Sequence, residues 1–348
     1  MIKGNDSMRI TEHGILFNMK SDRARAHTHP ELDGIMHIFD AYWHGIRSAT
    51  ACLPGHKIAL SHKEMPDGDA LHHLFSYIEN HKIKKICYQG ASENAIQVAK
   101  ILKQEFGKDI RQYGITHVSS AQFDNNFEMK MIRALLEGLK HGLFHRLGAV
   151  KPRFHGVIPE FWPHTLINMA PCIEAMPVLK DPAAVLIPVE NNWRKNLYSN
   201  VLAADHCEEI KKIYVVNWPN GLEYISNMAK VELLPFMRPP QLLACVGSCA
   251  ATVHASLIEC QPMTQLEGLV VGTPCVTARL GVHPEIDQHP LTRITEVDFP
   301  DDVGAITLAL KNICQLWMRD AAGLSAVIAD HVELRKRLSM NSYLDFLN

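Results

Sequence analysis

A chain of 348 residues exceeds one ordinary hydrophobic core and suits two domains of about 150 residues each. Its hydrophobic fraction of 47% and charged fraction of 21% exclude a disordered, collagen-like or coiled-coil chain. With 35 basic and 37 acidic residues the net charge is -2, so nothing draws the chain as a whole onto nucleic acid or another polyanion.

Short apolar, β-branched runs alternate with longer amphipathic stretches, the pattern of parallel sheets wrapped in helices. The first half predicts strands at Ile10–Phe17, Lys57–Ser61, Lys85–Tyr88 and Tyr113–Val118. Asp33-Gly34-Ile35 reads as the opening of a helix over Met36–Arg47. Apolar residues at helical spacing predict helices over Ala70–Asn80, over Glu93–Phe106 with Gly107 as its stop, and over Phe127–Gly142. From Lys151 onward, Pro152, Pro159, Pro163, Pro171, Pro177 and Pro182 break helix and strand alike and predict an irregular crossing. The alternation restarts with strand Val185–Val189, helix Asn196–Glu208 and strand Lys212–Asn217. A helix near Gly221–Ala229, strand Val231–Pro235 and a helix near Pro240–Gly247 come next. Strand Ala251–Ser256, Met263–Val271 as a loop running into a helix, and strand Cys275–Ala278 follow, and helical segments near Val303–Trp317 and Ala321–Leu338 end the series. Two α/β blocks joined this way predict two Rossmann-like domains facing across a cleft, with ligands beyond the carboxyl ends of the strands. The expected division is 1–172, 173–325, and a helical tail at 326–348 that packs back on the first domain.

The chemistry concentrates between Gln241 and Thr277. A helix leads to strand Ala251–Ser256, a loop carries Glu259, and seven residues later Glu267 opens a helix that ends at Gly272-Thr273-Pro274. This resembles the retaining GT-B glycosyltransferases of the group 1, or family 4, type, whose signature is two glutamates separated by seven residues before a helix and a Gly-Thr-Pro turn. A strand–loop–helix junction aims unpaired backbone N–H groups and a favourable dipole at an anion. Gly268 and Leu269 are the candidate backbone donors to a diphosphate, and a carboxylate beside it accepts hydrogen bonds from vicinal hydroxyls. The resemblance implies that Glu267 holds the nucleotide ribose and Glu259 the donor sugar.

The segment Val185–Asn196 adds cations: Lys195-Asn196 fits the family's diphosphate-binding pair, and Arg194 is the nearest arginine. The family's arginine stands several residues earlier, where this chain has Glu190-Asn191-Asn192. A cation here neutralises charge as the diphosphate leaves, in place of a metal ion. The resemblance further implies a donor-facing His117 at the end of strand Tyr113–Val118, a weak counterpart of the N-terminal glycine loop at Gly34, and Asn168 ahead of the crossing between domains. Glycines usually follow the first glutamate, and here Cys260-Gln261-Pro262-Met263 takes their place.

No HExxH motif, paired CxxC or phosphate-binding GxxxxGK[ST] occurs. The reading is therefore transfer of a sugar from a UDP- or GDP-sugar to an acceptor hydroxyl, with retention, no metal and no cofactor beyond the nucleotide-sugar substrate. Glu259, His117 and Lys195 are the catalytic candidates. The acceptor is a saccharide, a lipid-linked glycan or a modified nucleobase. The alternatives are a GT-B nucleotide-sugar epimerase and a non-catalytic partner subunit with a decayed donor site. No apolar run approaches the roughly 20 residues of a membrane span, and Met1–Met8 has no signal core. Nine cysteines without framework spacing read as reduced, which points to the cytoplasm. The short basic runs Lys82–Lys85 and Arg335–Arg337 are open to a peripheral membrane contact but read as solvated surface.

Overall fold

The computed structural model describes residues 8–11, 24–25, 27–173, 178–216 and 223–348. The chain divides into two compact units, the first holding Ala24–Cys172 with Arg337–Asn348 and the second Ile173–Lys336.

The first half of the chain runs through β1 (Met8–Thr11), β2 (Ala24–Arg25), β3 (Ile35–Asp40), α1 (His44–Ala51), β4 (His56–Leu60), α2 (Gly68–Asn80), β5 (Lys85–Gln89) and α3 (Glu93–Phe106). It continues with β6 (Arg111–Thr116), α4 (Asn126–Lys140), β7 (Arg146–Ala149), β8 (Phe161–Thr165) and β9 (Cys172–Ile173). Seven strands make one sheet in the order β1-β4-β3-β5-β6-β7-β8, parallel except where β1 pairs antiparallel with β4. Crossover helices cover such a sheet, so its central strands are buried on both faces.

That burial explains the main correction. Ile35–Asp40 is a strand, where the sequence reading expected a helix over Met36–Arg47. All six of its residues are buried, and IMHIFD, with His37 and Asp40 three residues apart, shows no period of two to identify it. Gly34 thus sits in a turn at the amino end of a strand, away from the carboxyl edge where ligands bind. The crossing expected to be irregular contains β8, and β7 just precedes it. The expected strand Ile10–Phe17 corresponds to β1 only as far as Thr11; residues 12–17, Pro177, Asn217 and Gly221 lie outside the described residues.

The segment 337–348 completes the first core. Phe346 is fully buried, and its ring stands where a Cβ on Gly148 would fall, 2.8 Å from Cε2, so β7 needs glycine there. Tyr113 Oη donates to Leu347 O at 3.0 Å, Ser339 Oγ to Ile167 O at 2.6 Å, and Ile167 N to Ser342 Oγ at 3.1 Å.

The second unit holds β10 (Asp181–Ile187), α5 (Leu197–His206), β11 (Lys212–Val216), α6 (Glu223–Ser226), β12 (Val231–Leu234), α7 (Pro239–Ser248) and β13 (Cys249–His254). After these come α8 (Met263–Val270), β14 (Cys275–Ala278), α9 (Pro284–Asp287), α10 (Pro290–Thr295), β15 (Glu296–Val297) and the long α11 (Val303–Leu347), which belongs to this unit as far as Lys336. Its six strands are all parallel, in the order β12-β11-β10-β13-β14-β15. The helix α11 kinks at Asp320, whose carboxylate accepts from Gly323 N at 2.8 Å and so caps the helical half that follows. Arg335, read from sequence as solvated surface, is instead buried, at 1% exposure. Among the described residues no helix is long and apolar enough to cross a membrane.

Candidate active site

In the second unit, β10 and β13 are neighbours, so the loops leaving their carboxyl ends meet although 64 residues separate Lys195 from Glu259. Asn192 begins the first loop by accepting from Lys195 N at 3.1 Å. Asn196 turns the chain in the left-handed region, at φ 55°, before α5. From the first turn of α5 the fully buried Asn200 reaches both loops. Its Oδ1 accepts from Ala255 N at 3.0 Å and its Nδ2 donates to Asn196 O at 2.7 Å. Lys195 is therefore held from both sides of its backbone.

The Lys195 ammonium bonds directly to Glu259 Oε2. His254, the last residue of β13, places Nε2 3.3 Å from the same oxygen, and Arg194 Nη1 lies 3.7 Å from it. Thr264 Oγ1 is 2.7 Å from His254 Nδ1. With Nε2 assigned as the protonated nitrogen, the ring donates to Glu259 and accepts the Thr264 hydroxyl proton. Burial lowers the His254 pKa, and Lys195 and Arg194 add to that, so the imidazole is neutral near pH 7. Burial opposes ionisation of Glu259, but the His254 hydrogen bond and the Lys195 charge outweigh it and hold the carboxyl well below the usual range. The result is a half-enclosed ammonium–carboxylate pair at a sheet's carboxyl edge.

The structure moves the backbone donors. The helix opens at Met263, four residues before Glu267, so Glu267 sits on the second turn of α8. Gly268 and Leu269 lie in the last turn, where their carbonyls accept from Thr273 N at 2.8 Å and Gly272 N at 3.1 Å. They close the helix onto the Gly272-Thr273-Pro274 turn and cannot offer first-turn donors. Those belong to Met263 and Thr264, whose N–H groups precede any intrahelical partner. Ser256 Oγ and Gln265 Oε1, beside this junction, are buried without a hydrogen-bond partner among the described residues.

Of the residues singled out from sequence, Lys195, Arg194 and Glu259 come together. His117 and Gly34 belong to the first unit. His117 directly follows β6, with Nε2 2.8 Å from Gln89 Oε1, and burial lowers its pKa to about 4. Asn168 lies buried beyond β8. Sequence reasoning missed His254, Thr264 and Asn200. The signal for His254 was a lone polar ring closing an otherwise apolar strand, CAATVH.

No protein-family model matches the chain, and no curated protein matches its sequence. Solved structures do match. A TarM variant of S. aureus, whose structure holds fondaparinux, alpha-GlcNAc-glycerol and UDP, aligns with a TM-score of 0.56 at 13% identity over 82% of this chain and 59% of that one. A UDP-forming alpha,alpha-trehalose-phosphate synthase of Burkholderia xenovorans, in complex with glucose-6-phosphate, aligns with a TM-score of 0.55 at 10% identity over 90% and 100%. The chain has the GT-B fold. The lipopolysaccharide outer core galactosyltransferase WaaB aligns with a TM-score of 0.53 at 11% identity, over 89% of this chain and 99% of its own. This chain thus spans just under three fifths of the TarM chain and nearly the whole of the other two.

Proposed function

We propose that this chain is a retaining, metal-independent glycosyltransferase that moves a sugar from a UDP- or GDP-sugar to an acceptor hydroxyl. The observation that carries it is the Lys195–Glu259 pair beside the open first turn of α8. A diphosphate reaching this edge accepts hydrogen bonds from Met263 and Thr264 N–H and competes with Glu259 for the Lys195 ammonium. As Lys195 turns to phosphate, Glu259 is released to accept hydrogen bonds from sugar hydroxyls, still ionised because His254 stays bonded to it. Ser256 and Gln265 supply further polar atoms to the same ligand. Glu267 is proposed to hold the ribose and Arg194 to share the phosphate charge.

In the transfer step the bond between the anomeric carbon and the diphosphate oxygen breaks, and the acceptor oxygen bonds to that carbon from the same face. The acceptor's proton passes to the departing diphosphate, and the configuration is retained. Lys195 stabilises the charge that develops on the leaving oxygen, the role a metal ion plays elsewhere. The fold shared with a structure holding UDP and with a synthase described as UDP-forming supports this donor class. The proposed compartment is the cytoplasm.

The test is a thermal-shift series against UDP, GDP, ADP and CMP, with and without EDTA. A ligand that binds only the native state raises the midpoint by mass action. UDP or GDP is expected to stabilise the protein, and Glu259→Ala and Lys195→Met to reduce the response. No shift with any nucleotide at millimolar concentration would remove the transferase reading. A shift that EDTA abolishes and a divalent ion restores would remove metal independence.

A further inference from the structure

The first unit has a cavity of about 240 Å³ at the carboxyl ends of its central strands, between the chain leaving β3, the β5 and β6 ends, and α4. Trp43, Phe127, Met131 and Leu135 are among its lining residues, with the polar His44, Thr116 and Gln122. Trp43 and Phe127 meet edge to face, with ring centroids 5.6 Å apart. Gly90, also in the lining, is in the left-handed region at φ 70°, where a Cβ would fall 2.7 Å from Ile46 Cδ1 and 3.2 Å from Trp43 Cζ3. Among the described residues no lysine or arginine lines the cavity, and its one carboxylate is Glu128. A phosphorylated or otherwise anionic ligand finds no countercharge there.

One polar edge is tightly specified. The series starts at the carbonyl of Pro54, which can only accept, from His37 Nε2 at 3.1 Å. Burial, with Lys57 nearby, lowers the His37 pKa to about 3, so the ring is neutral and its Nδ1 must accept. Gln89 Nε2 lies 3.1 Å from that Nδ1 and donates to it, and it also lies 3.3 Å from Tyr343 Oη. The Gln89 amide is thereby oriented, and its Oε1 accepts from His117 Nε2 at 2.8 Å. Reversing the amide would require both His37 nitrogens to carry protons, a buried cation without a counterion. The neutral His117 ring is left with an unprotonated Nδ1 that makes no hydrogen bond among the described residues, on a residue that lines the cavity. With no cation in the lining, this acceptor, beside the acceptors of Glu128, Gln122 and Thr116, favours a hydroxyl or amide N–H over a carboxylate or phosphate.

We propose that this cavity binds an uncharged, apolar alcohol, a phenol or a hydroxyl on a similarly flat hydrophobic skeleton, with the O–H donated to His117 Nδ1 and His37 and Gln89 as positioning residues. The size agrees, since a cavity near 150 Å³ holds benzene and about 240 Å³ accommodates roughly two fused rings. Calling this alcohol the sugar acceptor rests on the transferase reading. The ligand class rests on the cavity alone.

The experiment measures binding of 2-naphthol, naphthalene and 2-naphthyl phosphate to the full chain by calorimetry, with 15N NMR of His117 and a parallel UDP thermal shift. We expect 2-naphthol to bind at least tenfold more tightly than 2-naphthyl phosphate and several-fold more tightly than naphthalene. The His117 proton should sit on Nε2, and the Nδ1 signal should move on 2-naphthol binding. In Gln89→Met the proton should spread over both nitrogens, with 2-naphthol weakened and naphthalene unchanged, a split that general loosening of the fold would not give. Met131→Trp, which fills the cavity, should abolish binding of both. Equal or tighter binding of the phosphate, or a His117 proton on Nδ1 in the unaltered protein, would overturn the inference. A UDP response without 2-naphthol binding would overturn it alone and leave the transferase reading standing. Binding of 2-naphthol without a UDP response would support the ligand class and remove the transferase reading.

Discussion

Lys195→Met isolates the central ion pair. Removing one partner of a fully buried pair costs roughly 3–5 kcal/mol, whereas an exposed pair contributes about 0–1. Both side chains here keep 16% of their surface, and Arg194 at 3.7 Å and His254 at 3.3 Å stay beside the abandoned carboxylate. An intermediate loss of about 2 kcal/mol follows, or a fall of about 4–8 °C in the second unit's melting temperature. Glu259 has a depressed folded pKa, so its contribution is fully present above its unfolded value and is lost as pH falls through the folded one. The gap between the native protein and Lys195→Met should therefore shrink below about pH 4.5. The double variant Lys195→Met/Glu259→Met leaves neither member of the pair facing an absent partner and should fall short of the summed single losses by about 1–2 kcal/mol. Urea denaturation of the four proteins from pH 7 to pH 3 provides the assay. Strict additivity, or a Lys195→Met loss that stays constant as pH falls, would refute the reasoning.

Asn200→Ala leaves the buried Ala255 N–H without an acceptor and should destabilise by about 1–3 kcal/mol. Its UDP-induced thermal shift should shrink as well, and an unchanged shift would show that Asn200 does not hold Lys195 in place. Glu296→Gln addresses a carboxyl whose pKa burial, followed by Asp287, raises to about 7. Raised in the folded state, this group contributes stability below its unfolded pKa that is lost as pH climbs from about 4.5 to about 7. The glutamine variant should gain roughly 1–3 kcal/mol at pH 8 and flatten the urea midpoint between pH 5 and pH 8. Parallel pH profiles for the two proteins would contradict that.

The two-domain α/β plan was legible because amphipathic helices such as α2 and α3 carry a clear 3.6-residue period and explicit caps. Asp67 and Ser92 each accept from a first-turn N–H of the helix that follows. β3 was not legible: buried on both faces, it has no alternation, and His37 within it gave no hint of its partners Pro54 and Gln89. In the second unit, Lys195 and Glu259 were singled out for two different parts of a ligand, not for each other. Their pairing depends on β13 lying beside β10, and a strand order is not written in local sequence. The opening of α8 was misplaced for a simpler reason. Pro262 has no side-chain cap to offer, so nothing local marked Met263 as the start.

The first unit is discontinuous along the chain: Phe346, Tyr343 and Ser339 finish a core begun at Leu32, and all of the second unit lies between. During synthesis the seven-stranded sheet must therefore wait with the inner ends of β7 and Gly148 uncovered. At about 5–20 residues per second, the ribosome needs roughly 10–35 s to make everything from Ile173 onward. Throughout that interval the first sheet has all of its strands, through Thr165, but not the segment from Arg337 that covers them. The last contacts of the first core thus form only after the last residue of the second unit, Lys336, has been made.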